Sequence, residues 1–135
     1  MGPREPQLFV NLAVRDLAAS RDFWESLGWA VDERFTSEDS LCLAVSPHLC
    51  VMLLREDAFG ELAGRAVADP WAGAGTVTSL ILDSRFHVDQ LVERALAAGA
   101  TETRERVDQG SLYSRLVTDP DGHLWEFGWI DDDAA

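Results

Sequence analysis

The chain has 135 residues, enough for one domain, and its 47% hydrophobic and 26% charged residues are typical of a globular rather than a disordered protein. The chain has 11 basic residues, all of them arginine, and 24 acidic residues, and the resulting net charge of −13 disfavours nucleic acid and anionic membranes as partners. No apolar run approaches the roughly 20 residues of a membrane span, and residues 1–6 lack the apolar core of a secretory signal, so we expect an acidic cytoplasmic protein.

The first half of the chain predicts a strand, a helix and three further strands. Residues 8–14 are rich in strand-forming side chains, and apolar positions within residues 17–27 indicate the helix. Asp16 suits the N-cap of this helix, and Gly28 suits the left-handed position after its last turn. The further strands are predicted at residues 29–35, 41–45 and 50–54, with a hairpin turn at residues 46–49.

The second half repeats this order. A strand is predicted at residues 77–82, followed by a helix that begins after Asp83 and Ser84 and ends at Gly99. Further strands are predicted at residues 101–107, 112–118 and 123–130, with turns at residues 108–110 and 119–122. The chain therefore predicts a single domain, residues 1–135, with module one at about 8–54, a linker with a short helix at about 55–75 and module two at about 76–130.

The two cysteines are Cys42 and Cys50, both within predicted strands. They are close enough in sequence to form a disulfide, but two buried, reduced thiols suit both the strand positions and a reducing compartment. We expect the reduced, buried state.

Several short segments stand in a recognisable order along the chain: VNLAVRDL at 10–17, SRDF at 20–23, LG at 27–28, DPDGH at 119–123 and WE at 125–126. Together with the doubled module, over about residues 8–129, they resemble the vicinal oxygen chelate superfamily of glyoxalases, bleomycin-resistance proteins and extradiol dioxygenases. The resemblance implies an α+β fold in which two βαβββ modules form a half-open, cavity-enclosing mixed β-barrel. It also implies a homodimer.

Enzymes of this superfamily usually hold one divalent metal with side chains from the first and last strands of the modules. By resemblance, Glu126 stands at the final carboxylate position. The other ligand positions lack suitable donors and fall at Phe9, at Val77 or Thr78, and at Val51 or Met52. The three histidines, His48, His87 and His123, lie in turns or at a helix start and do not replace them. We expect no metal and no other cofactor, with Glu126 as the one candidate ligand.

The last hairpin predicts which side chains share the open face of the second sheet. If Thr118 pairs with His123, then Arg115 faces Glu126, and Tyr113 lies on the same side. The opposite side, which carries Trp125 and Phe127, should pack under the second helix. On the first strand, we expect Asn11 to face inward together with Phe9 and Ala13. The predicted ligand-binding residues are Asn11, Tyr113, Arg115 and Glu126.

An Arg115–Glu126 pair has two interpretations: the two charges neutralise one another, or they bind the polar part of a ligand. The leading functional prediction is a protein of the glyoxalase/bleomycin-resistance type that binds a small organic molecule without the full metal site. One alternative is a metal-dependent lyase or dioxygenase with Glu126 as a ligand, and another is a non-catalytic interaction module. Fold alone does not choose among them, and no catalytic residue is identified.

Overall fold

The computed structural model describes residues 5–134, so most of the segment 1–6, which is predicted not to be a secretory signal, lies outside the described residues. The chain divides into two compact units, residues 1–68 and residues 69–135. Each unit contains a mixed β-sheet with helices, which confirms the predicted α+β class. Within residues 5–134, no helix has the length and apolarity needed to cross a bilayer.

The elements of unit one, in chain order, are β1 (Leu8–Val14), α1 (Leu17–Ser26), a 3-10 turn (Glu33–Phe35), β2 (Ser40–Ser46), β3 (Leu49–Arg55) and α2 (Glu56–Ala63). The three strands form a sheet in the order β1-β3-β2, with β1 parallel to β3 and β2 antiparallel to it. The helix α1 begins after Asp16, whose carboxylate accepts the N–H of Ala19, and Gly28 has a φ of 89° after its last turn, both as predicted.

The strand predicted at residues 29–35 is wrong. Only Val31 bridges to Leu43 of β2, and the 3-10 turn follows. Asp32 accounts for the difference, because its carboxylate accepts the N–H of Arg34 and so stabilises a turn where the sheet would need an extended chain.

The first sheet buries one face more completely than the other. Leu43 of β2 and Leu53 of β3 lie on the same face of the sheet and are inaccessible to solvent, and α1 contacts both of these strands. Asn11 lies on the opposite face with Phe9 and Ala13, as predicted from the alternation along β1. Both cysteines are free, as expected, but Cys50 is only partly buried, so the predicted burial is confirmed for Cys42 alone. Cys42 is buried, and this burial, together with the neighbouring Cys50 thiol, raises its pKa to about 12.

The elements of unit two, in chain order, are β4 (Val77–Ile81), α3 (Arg85–Ala97), β5 (Val107–Asp108), β6 (Leu112–Thr118), β7 (Leu124–Ile130) and a terminal 3-10 turn (Asp132–Ala134). The four strands form a sheet in the order β4-β7-β6-β5, in which β4 is parallel to β7. Ser84 caps α3 by accepting the N–H of His87, and Gly99 has a φ of 113° just beyond the helix.

The predicted strand at residues 101–107 is mostly a bulge. Thr101 bridges to Thr118 and Val107 pairs with Ser114, so residues 102–106 lie opposite the shorter stretch 115–117. The additional residues cannot stay in the ladder, and such bulges redirect side chains. The segment is rich in charged residues, and the bulge lets them reach partners on both faces of the sheet.

The predicted register of the last hairpin is wrong by one residue. Thr118 pairs with Leu124 rather than with His123, so the loop spans residues 119–123. Asp119 keeps His123 in the loop, because one carboxylate oxygen accepts the N–H of both His123 and Asp121. Its other oxygen accepts the indole N–H of Trp125 at 2.9 Å. A shift of one residue moves every side chain of β6 to the opposite face.

Candidate functional site

The corrected register places Arg115 and Tyr113 on the face of the second sheet that packs against α3. Arg115 lies opposite Phe127 on β7, with a side chain that is 2% exposed. Glu126 points to the other face, so the predicted Arg115–Glu126 pair is wrong. Tyr113 and Arg115 therefore do not line the open face.

Arg115 joins three elements on the helix-facing side. Its guanidinium donates to Asp89 and Glu93 of α3, each at 3.0 Å, and to both carboxylate oxygens of Glu102 in the bulge at 2.7 and 2.8 Å. The hydroxyl of Tyr113 donates to the same Asp89 at 2.6 Å. The hydrogen bonds from Arg115 lower the pKa of Glu102, against the opposing effect of burial. This arrangement holds α3 and the bulge to the sheet.

The open face of the same sheet carries a second polar group of side chains. Ser79 of β4 donates to one oxygen of Glu126 at 2.8 Å, and Ser114 of β6 donates to the other at 2.7 Å. From the bulge, Arg104 donates to the Ser114 hydroxyl at 2.8 Å, and its Nη1 lies 3.6 Å from Glu126 Oε2. We call Ser79, Arg104, Ser114 and Glu126 the Glu126 cluster.

The Glu126 cluster keeps its carboxylate charged and accessible. The pKa of Glu126 is lowered, and the largest cause is the hydrogen bond from Ser114. Burial acts in the opposite direction, whereas the hydrogen bond from Ser79 and the positive charge of Arg104 lower the pKa further. The Glu126 side chain is 29% exposed and that of Arg104 is 37% exposed. A ligand can therefore reach a fixed negative charge and a positive charge at the same place.

Apolar side chains flank the cluster on the open face. Strand alternation places Val77 and Ile81 of β4 and Ile130 of β7 on the side of Glu126, and they are 47%, 54% and 42% exposed. An open depression of about 510 Å³ lies along the bulge and is lined by residues 102–106, so it includes Arg104 but neither Glu126 nor the three apolar side chains. Apolar surface around a few fixed polar groups is typical of small-molecule sites.

Comparison with known proteins agrees with this architecture. The profile of the Glyoxalase/Bleomycin resistance protein/Dioxygenase superfamily matches residues 7–127. The chain belongs to this superfamily. No curated protein matches it in sequence.

Solved structures similar to this superfamily member span nearly its whole length. A hypothetical protein from S. aureus shares 24% identity at a TM-score of 0.79, covering 96% of each chain. A glyoxalase-related enzyme from Fulvimarina pelagi shares 25% identity at a TM-score of 0.76, covering 90% of this chain and 85% of the other. A bleomycin resistance determinant encoded on transposon Tn5 shares 20% identity at a TM-score of 0.65, covering 94% and 99%.

A divalent metal is the cofactor that resemblance to this superfamily implies. Within residues 5–134, no group of three or more His, Cys, Asp and Glu side chains is placed to hold one. The neighbours of Glu126 are two hydroxyls and a guanidinium, and the positive charge of Arg104 opposes a metal ion beside the carboxylate. The residues around Glu126 therefore do not fit the metal.

Three members of the Glu126 cluster were not among the predicted site residues. Ser79 is a polar residue at the centre of the short strand β4, and pairing of the first and last strands of module two would have indicated it. Ser114 would point towards the helix in the predicted register, because it neighbours Arg115, which that register places on the open face. Arg104 lies in a run of charged residues that fits a regular strand poorly, a signal against the predicted strand.

Replacing Ser114 with alanine is expected to raise the pKa of Glu126, because the hydroxyl donates directly to the charged form of the carboxylate. Carbon-13 NMR titration of the Glu126 carboxyl measures this change. Ser26→Ala is the matched control, since that hydroxyl donates to the carbonyl of Phe23 in unit one. An unchanged Glu126 titration in Ser114→Ala would contradict the hydrogen-bond assignment.

Proposed function

We propose that this superfamily member binds a small organic molecule on the open face of its second sheet, without a divalent metal. The observation that carries the proposal is the Glu126 cluster, in which a partly exposed, charged carboxylate is held beside a guanidinium amid exposed apolar side chains. The cluster supplies directional polar contacts, and the apolar side chains supply burial for the body of the molecule.

One similar structure is named as a bleomycin resistance determinant and another as a glyoxalase-related enzyme, so the fold alone does not choose between binding and catalysis, and the proposal depends on the Glu126 cluster. Of the residues predicted from the sequence, Glu126 keeps its place in this proposal, and Asn11 remains a candidate on the first sheet. Tyr113 and Arg115 contribute indirectly, because they hold α3 and the bulge that carries Arg104.

The test is ligand-observed NMR of EDTA-treated protein against a library of small organic fragments. We expect some fragments to bind, and Glu126→Ala to weaken them by about tenfold, since it removes a charged hydrogen-bond acceptor. Glu25→Ala is the matched control, because Glu25 is exposed on α1 and pairs with Arg21. Fragment binding that appears only after a divalent metal is added would instead favour a metal-dependent lyase or dioxygenase. Absence of any fragment binding would favour an interaction module.

A further inference from the structure

The two charges of the Glu126 cluster lie side by side without forming a short ion pair. Arg104 Nη1 is 3.6 Å from Glu126 Oε2, whereas the short bond from Arg104 goes to the uncharged Ser114 hydroxyl at 2.8 Å. Among the described residues, Arg104 Nε is buried and has no hydrogen-bond partner, so contact with a ligand falls to the terminal nitrogens of this side chain, which is 37% exposed. A guanidinium offers five N–H donors and a carboxylate about four acceptor positions, so both groups retain capacity for a ligand.

The charge pattern discriminates among classes of ligand. A purely anionic molecule would meet the Glu126 carboxylate and a protein of net charge −13. A purely cationic molecule would be repelled by Arg104 at the moment it reached Glu126. A molecule with both charges avoids both penalties, because its ammonium can face Glu126 while its carboxylate faces Arg104.

The spacing of the two protein groups limits how far apart the ligand charges can be. Groups 3.6 Å apart are bridged most directly by an ammonium and a carboxylate carried on one carbon atom. The exposed side chains of Val77, Ile81 and Ile130 lie on the same face and suit an apolar substituent on that carbon.

We propose that the ligand of the Glu126 cluster is an α-amino acid with an apolar side chain, or a small molecule that retains this zwitterionic head. Glu126 accepts from its ammonium, Arg104 donates to its carboxylate, and Ser79 and Ser114 hold Glu126 in position. This inference rests on the proposed function and narrows it to a class of ligand.

The test is isothermal titration calorimetry of EDTA-treated protein with leucine, methionine and phenylalanine. Each is compared with the amine that lacks its carboxylate and the acid that lacks its ammonium. At least one amino acid should bind about tenfold more tightly than both its amine analogue and its acid analogue, because each analogue loses a charge-assisted contact.

The variants test each contact separately. Arg104→Gln should lower the affinity for the amino acid about tenfold and leave the affinity for the amine unchanged, whereas Glu126→Gln should lower the affinity for the amino acid and leave the affinity for the acid unchanged. Arg21→Gln, on the surface of α1, is the matched control and should change neither preference.

Two outcomes would overturn the inference, and they have different consequences. If library fragments bind through Glu126 but no amino acid binds more tightly than its amine and acid analogues, the proposal of a zwitterionic ligand is wrong and the proposed function stands. If neither amino acids nor library fragments bind, both proposals fail.

Discussion

Replacing Arg115 with methionine is expected to lower the free energy of unfolding by about 2–4 kcal/mol, measured by urea denaturation. The substitution keeps apolar bulk but removes the cation shared by Asp89, Glu93 and Glu102. Breaking a buried ion pair costs more than the pair contributes, because it leaves charges close together and uncompensated. We expect a smaller loss of unfolding free energy than the largest losses seen when buried ion pairs are broken, because the side chains of Asp89 and Glu93 are partly exposed to water.

The pH dependence of this loss provides a second measurement. In the wild type, Arg115 lowers the pKa of Glu102, so its stabilisation is present above the unfolded pKa and is lost as pH falls through the folded one. In Arg115→Met, repulsion among Asp89, Glu93 and Glu102 should favour protonation of these carboxylates. The difference in unfolding free energy between wild type and variant should therefore become smaller as pH falls from neutral towards about 4. Arg21→Met, which removes an exposed ion-pair partner from α1, is the control and should cost much less. A difference in unfolding free energy that does not change with pH would contradict the electrostatic explanation.

Replacing Asp119 with alanine is expected to lower the free energy of unfolding by about 3–5 kcal/mol, measured by the same denaturation. The carboxylate accepts the backbone N–H groups of Asp121 and His123 and the indole N–H of the buried Trp125. Alanine would leave three donors without their acceptor, and the loop that sets the register of β6 against β7 would lose its organising contact.

Asp119→Asn separates the roles of the two carboxylate oxygens. The asparagine oxygen can still accept the two backbone N–H groups, but its NH₂ would face the indole N–H of Trp125, so an intermediate loss is expected. Asp69→Ala is the matched control, because Asp69 accepts the N–H of Trp71 in an exposed turn. A loss for Asp119→Ala no larger than that of the control would contradict the role assigned to Asp119.

The open face of the second sheet was only partly predictable. Alternation along β7 correctly places Trp125 and Phe127 towards α3 and Glu126 away from it, because the period of a single strand does not depend on its neighbours. The partner of Glu126 depends on the register between strands. That register rests on the side chain of Asp119, which adds His123 to a turn that otherwise reads as four residues.

The sequence by itself determined the α+β class, the strand–helix order that opens each half, the helix ends at Gly28 and Gly99, and membership of the superfamily, whereas the predicted four-strand module is not formed in the first half. These features follow from local spacing, capping and backbone freedom, which act over a few residues. Only the tertiary structure decided which arginine reaches the open face. Arg115 became the buried partner of α3 and Arg104 the partner of Glu126, because the bulge at residues 102–106 and the loop at residues 119–123 set strand register through contacts between distant parts of the chain.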